Sequence, residues 1–207
     1  MREPRSGNSA AVLHTDAHGV RLLVITPLRI ERAAVRRRLP EALVLHSGMG
    51  AARARSTARV AARIPAGAVA VAGFCGAVAG DLRAGDVVVA SEIGGPDGVT
   101  VCTSGPVVAA LSALGIARVH VGPVASVDHL VRGAERWALA DGGALAVDME
   151  SAWLAQAAVG RPFAVLRIVL DTRARDILRP VATLAGGVAA WQALRRAAPA
   201  LALWAKG

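Results

Sequence analysis

Val147-Asp148-Met149-Glu150-Ser151, read together with Pro162-Phe163-Ala164-Val165-Leu166-Arg167-Ile168-Val169-Leu170-Asp171, decides the fold class of this chain. Residues 143–147 read as a short apolar strand and 151–158 as a helix, so Glu150 stands where a strand hands over to a helix. Residues 162–170 are nearly all apolar, a buried strand that ends on Asp171. In open α/β sheets, ligands collect at the carboxyl ends of strands. Two carboxylates at two such ends suit acid/base work on a polar small molecule. The plainer alternative is that Glu150 caps the helix and Asp171 opens a turn.

Outward from that stretch the chain alternates between strand and helix. Residues 20–26 are an apolar strand broken by Pro27, and a helix follows over 30–39. A second strand, 43–46, runs through the turn Ser47-Gly48-Met49-Gly50 into an Ala-rich helix over 51–64. Strands at 68–73, 86–90 and 119–124 and helices at 107–114, 132–140 and 181–204 continue the pattern. The last helix has candidate bends at Gly186-Gly187 and Pro199. Between them, 91–105 is rich in Gly and Pro and reads as a loop or an edge hairpin. Alternation of this kind predicts an α/β fold with a mostly parallel sheet. With no internal repeat or low-complexity linker, residues 20–207 read as one domain. Residues 1–19, polar and mixed in charge, read as a disordered tail on a cytoplasmic protein, without the pattern of a signal peptide.

The 207 residues suffice for a sizeable core, and at 54% hydrophobic but 3% aromatic that core is built of Ala, Val, Leu and Ile. No apolar run reaches the roughly 18 residues that a membrane span needs. Cys75 and Cys102 lack metal-ligand or redox spacing, and the five His form no metal pattern, so neither a disulfide framework nor a metal is expected. The formal charge of +9 comes almost wholly from Arg, with Arg32, Arg36, Arg37 and Arg38 clustered on one short helix. A solvated face explains that cluster first, and attraction to an anionic membrane surface second. Nucleic acid comes last, because neither a zinc finger nor an aromatic stacking strand is present. The Ser-Gly-Met-Gly turn lacks the Lys of a P-loop and the third Gly of a dinucleotide fingerprint. It could receive a ribose or phosphate on its amides, or simply turn the chain tightly.

Six short motifs occur in one order. They are Ile25-Thr26-Pro27-Leu28-Arg29-Ile30-Glu31, the Ser47-Gly50 turn, and Ala72-Gly73-Phe74-Cys75-Gly76-Ala77 leading to Gly85-Asp86. Ala125-Ser126-Val127-Asp128, Val147-Asp148-Met149-Glu150 and the run from Arg167 to Asp171 complete the set. In this order they resemble the nucleoside phosphorylase/nucleosidase superfamily, which includes methylthioadenosine/S-adenosylhomocysteine nucleosidase and futalosine hydrolase. The resemblance implies a three-layer α/β/α sandwich around a mixed, mostly parallel sheet, in an oligomer that is usually a dimer.

It also implies roles. Asp171 matches the acid that donates a proton toward purine N7, and burial at the end of an apolar strand raises a carboxyl pKa in the direction this needs. Glu31 matches the base that deprotonates the attacking water. Glu150 matches the carboxylate that grips the ribose hydroxyls, with Met149 packed beside the sugar. Leu130 and Val131 fall where the family packs the base, an aliphatic lid in place of an aromatic one. Gly48 belongs to the turn expected beside the substrate. An Asp, two Glu and a water suffice for N-glycosidic hydrolysis, so no cofactor and no metal are implied.

Departures sharpen the reading. Phe74 stands where the family often carries Ser, Asp148 where it carries Glu, and Leu170 where a small polar residue precedes the acid. Phosphorylases of the family hold phosphate with an Arg and a Ser at positions matched here by Val71 and Phe74. Arg29 is the remaining candidate phosphate ligand, and one Arg rarely makes a phosphate site. Hydrolysis is therefore expected. Residues 91–105 replace a longer, aromatic rim segment, leaving the 5′ side open for a bulky substituent. The chain most resembles the subgroup of hopanoid biosynthesis, whose members remove adenine from adenosylhopane. The arginines would then favour visits to the inner membrane face. A small-molecule adenine nucleosidase, a futalosine hydrolase, a phosphorylase and a non-catalytic nucleoside-binding module remain alternatives.

Overall fold

The computed structural model describes residues 20–171 and 180–207. The tail expected over 1–19 lies outside the described residues.

Strand β1 (Val20–Thr26) leads through Pro27 into helix α1 (Arg29–Arg36), and β2 (Leu43–His46) leads into α2 (Ala51–Ala61). The turn before α2 needs its glycines, since Gly48 and Gly50 take φ of 81° and 89°. Ala54, Ala58 and Ala61 line one face of α2, a spacing that lets the helix lie close on the sheet. β3 (Ala66–Ala77) is followed by the hairpin of β4 (Val87–Gly95) and β5 (Gly98–Val101). The Gly- and Pro-rich stretch is thus an edge hairpin, turned at Gly98, whose φ is 113°. Next come α3 (Gly105–Ala113), β6 (Val119–Ser126), α4 (Ala134–Asp141), β7 (Ala146–Asp148) and α5 (Ser151–Leu154). The helix expected over 151–158 is one α turn that tightens into a 3-10 turn at Ala155–Ala158. β8 (Phe163–Asp171) is followed by α6 (Pro180–Ala197) and α7 (Pro199–Trp204). The single terminal helix expected from the sequence is therefore two, broken at Pro199, which lacks the N–H to continue α6.

Among the described residues five strand pairings are parallel and three antiparallel. The mixed sheet with helices on both faces is the architecture the sequence implied. Its pairing holds one feature the sequence did not. β3 pairs with β8, β8 with β4, β4 with β6, β6 with β7, and β7 returns to β3, so five strands close into a ring. β1 and β2 extend it on one side and β5 on the other.

The core lies on both faces of the strands. One side packs Leu22, Val24, Val89 and Leu166 under α1, α3, α6 and α7. The other packs Leu23, Ile25, Val71 and Val165 under α2 and α5, around Trp153. Each such side chain contributes roughly 1.5–3 kcal/mol by leaving water. At the amino ends of β4 and β6, Asp86 accepts from Arg118 (2.6 Å), His120 (3.1 Å) and the Arg83 amide (3.0 Å), and its carbonyl accepts the Val169 amide (2.9 Å) near the end of β8.

Candidate active site

A cavity of about 390 Å³ opens at the carboxyl ends of β1, β3, β6, β7 and β8. Glu31, Glu150 and Asp171 all line it, brought together from α1, the β7–α5 junction and the end of β8.

Glu31 is 1% exposed on the first turn of α1. Its Oε2 accepts the Leu28 amide at 2.7 Å, closing the helix N-terminus, and its Oε1 accepts the Phe74 amide at 2.6 Å. The bare backbone of Gly73 allows this approach, since a Cβ there would sit 2.6 Å from Glu31 Oε1. Burial raises the Glu31 pKa to about 7, against the pull of Arg167 and the two amides. A carboxyl poised there can take and return a proton at neutral pH.

Arg167 is fully buried in β8 and organises the floor. It meets Asp148 at 2.7 Å, donates to Ser151 Oγ at 2.8 Å and to the Phe74 carbonyl at 3.3 Å, and lies 3.9 Å from Glu150. Asp148 Oδ1 accepts from Ser126 Oγ (2.6 Å) and from the amides of Glu150 and Ser151 (both 3.1 Å). Asp148, not Glu150, therefore satisfies the start of α5, which corrects the plainer reading of Glu150. Burial pushes the Asp148 pKa up, but Arg167 and these hydrogen bonds outweigh it and hold the group below the usual carboxylate range. Glu150 is left to face the cavity. Burial raises its pKa, and its Oε1 accepts the Gly50 amide at 2.9 Å.

That contact settles where the Ser-Gly-Met-Gly turn goes. Gly50 orients Glu150, Met49 lines the cavity, and Gly48 serves the turn itself, with Arg53 packed against it. Phe74, Met149, Leu130 and Val131 all line the cavity, Val131 buried and Leu130 45% exposed. Arg29 does not; it belongs to a separate groove of about 620 Å³ with Arg32, Arg36, Arg37 and His46. Asp171 is buried at the end of β8, where Arg136 of α4 donates to its Oδ2. Among the described residues no cluster of three His, Cys, Asp or Glu is placed to hold a metal ion.

Sequence reasoning gave no role to Arg136, Arg167 or the capping by Asp148. A signal existed for Arg167, because an Arg inside an apolar strand must be paired. None existed for Arg136, one arginine among many, on a helix that buries it and leaves Trp137 57% exposed.

The sequence pattern described as "Phosphorylase superfamily" matches residues 31–198. The chain belongs to the phosphorylase superfamily. No curated protein is significantly similar to it in sequence. Solved structures share its fold. The 5′-methylthioadenosine/S-adenosylhomocysteine nucleosidase of Helicobacter pylori, bound to butyl-thio-DADMe-Immucillin-A, superposes with a TM-score of 0.74 at 18% identity, covering 89% of this chain and 97% of that one. The futalosine hydrolase of the same organism gives 0.75 at 18% identity, over 89% and 97%. The S-adenosylhomocysteine nucleosidase of Streptococcus pyogenes, in complex with 5-methylthiotubericidin, gives 0.68 at 22% identity, over 85% and 94%. At these identities the likeness establishes the fold.

Proposed function

We propose that the cavity hydrolyses the N-glycosidic bond of a 5′-substituted adenosine and releases adenine. The observation that carries this is the convergence of Glu31, Glu150 and Asp171 on one cavity, with Glu31 poised at about 7 by burial. Glu31 takes a proton from water as the oxygen bonds to the sugar C1′. Asp171 gives a proton toward N7 as the C1′–N9 bond breaks and its electron pair leaves with adenine. Glu150 holds the ribose hydroxyls and stabilises the positive charge that develops on the sugar, with Met149 beside the ribose. Phe74, Leu130 and Val131 hold the base. Nucleosidases of methylthioadenosine and S-adenosylhomocysteine stand among the structural neighbours, which supports this reaction class.

Water is favoured over phosphate as nucleophile. Val71 is buried and apolar, Phe74 offers only its amide, and Glu31 already accepts that amide. Arg29, the candidate phosphate ligand, lines the outer groove instead.

For the substrate we favour adenosylhopane, converted to ribosylhopane. Met49 and Leu130 at the cavity and Ile30 beside it are exposed apolar side chains, suited to a lipid substituent. α1 carries Glu31 toward the cavity and Arg32, Arg36 and Arg37 toward the basic groove, so an anionic membrane at the cytoplasmic face would meet the same side of the enzyme. No described helix is long and apolar enough to cross a membrane. A homodimer is the expected assembly. Adenine release from adenosylhopane and from methylthioadenosine, each with and without phosphate, tests the reading. Phosphate-independent release from adenosylhopane supports it. Preference for methylthioadenosine would assign a small nucleoside, and strict phosphate dependence would overturn hydrolysis.

A further inference from the structure

The pairing of Arg136 with Asp171 conflicts with the work assigned to that acid. Arg136 is 6% exposed and spans the cavity's base end: Nε donates to the Val131 carbonyl at 3.3 Å, and Nη2 donates to Asp171 Oδ2. The pair rests on the bare backbone of Gly76, where a Cβ would lie 2.9 Å from Arg136 Nη2 and 3.0 Å from Asp171 Oδ1. A guanidinium on a carboxylate favours the charged form, whereas a general acid must hold its proton. Any purine lying between Val131 and Asp171 must also compete for the acceptors that Arg136 occupies.

We infer that Arg136 is a positioning residue that latches Asp171 in an unreactive pairing, and that the incoming purine displaces it before the leaving group is protonated. This rests on the nucleosidase reading of the site. The adenine amino group is a donor and can replace the guanidinium at Val131 or Asp171. Asp171, once parted from Arg136, takes up a solvent hydronium proton, leaving neutral water, and passes that proton to N7. In the segment that carries Arg136, His129 ties Asp128 (2.9 Å) to Glu135 (2.7 Å) at the surface. Among the described residues, the other charged or titratable groups around Asp171 include Cys75 beside it on β3, Glu31, Asp148, Glu150 and Arg167 across the floor, and His129 at the mouth.

The test compares wild type with R136M, R136Q and R136K, using methylthioadenosine across pH. We expect R136M and R136Q to lower KM about tenfold, because the charge-assisted bond from Arg136 no longer has to be broken first. The alkaline limb of kcat/KM should move up by about one pH unit in both, and R136K should restore the wild-type profile. An unchanged KM and an unmoved limb would overturn the latch. So would a hundredfold loss of kcat with the limb unmoved, which would make Arg136 a direct contact of the departing purine. Titration of carboxyl-labelled [13C]aspartate, with the Asp171 signal assigned by D171N, needs no substrate. Asp171 titrating higher in R136M than in wild type supports the latch, and equal titration refutes it. Wild type that releases no adenine would sink the nucleosidase reading, and this titration would still decide the pairing.

Discussion

Replacing Glu31 with Gln separates the cost of burying its charge from everything else the side chain does. The folded state raises its pKa from 4.5 to about 7, chiefly by desolvation. Between those values the unfolded chain has released the proton and the folded chain keeps it. Glu31 therefore contributes stability in full below the unfolded value, and that contribution is lost as pH rises to the folded one. At about 1.36 kcal/mol per pKa unit, this group alone lowers wild-type stability by about 2.5 kcal/mol between about pH 5 and about pH 8. Gln cannot ionise. It does set an NH2 group against one of the two amides that Glu31 accepts, costing about 1–3 kcal/mol, but at every pH alike. Urea unfolding of both proteins at the two pH values should show E31Q gaining about 2.5 kcal/mol on wild type from the lower to the higher. A difference that does not change with pH would mean that Glu31 ionises as though solvated, and the argument for a base poised near neutrality would fail.

Asp171→Asn should reduce adenine release by about a hundredfold or more while circular dichroism and oligomeric state stay as in wild type. Full activity in that variant would remove the proposed acid. Arg167→Met strips the cation from Asp148 and Glu150 and should cost about 3–5 kcal/mol in urea unfolding, far more than exchanging an exposed arginine such as Arg37. A loss under 1 kcal/mol would show that those carboxylates are satisfied without it. Gly73→Ala puts a methyl 2.6 Å from Glu31 Oε1 and 2.9 Å from Arg167 Nη1. Activity should fall by about a hundredfold with little loss of the folded state at pH 7, because about 1 Å of displacement at a reacting group has that effect. Activity near wild type would mean Glu31 can shift freely.

The strands were legible because each carries an apolar run bounded by Gly, Pro or a charged residue, and β8 is the plainest, buried along nearly its whole length. Glu31, Glu150 and Asp171 were legible because each follows or ends such a run; β1 and β8 run the same way and bring Glu31 and Asp171 together, whereas β7 runs against β3 and delivers Glu150 from the other direction. Helix boundaries were less so. α1 stops at Arg36 rather than at residue 39, and the helix expected after Glu150 tightens after one turn, since Ala and Arg say little about where a helix ends. The polar floor was hidden for a different reason. Asp148 looked like a neighbour of the interesting residue, and only the fold shows that it caps α5 and holds Arg167. Arg136 faces inward on a helix whose sequence carries no apolar stripe to betray its buried face.

The ring of β3, β8, β4, β6 and β7 has a mechanical consequence. A strand at an open edge can slip by a residue and disturb only one neighbour. In a hoop, a slip in β8 would have to be absorbed by β4, β6 and β7 before it returned to β3, so the registers of all five lock one another. Glu31 leans on β3, Arg167 and Asp171 ride on β8, and Asp148 ends β7, so their spacing is set by the circumference of the hoop. β5 and the turn carrying Met49 hang outside it. They can change without shifting the ring, so the distances between the carboxyls hold still.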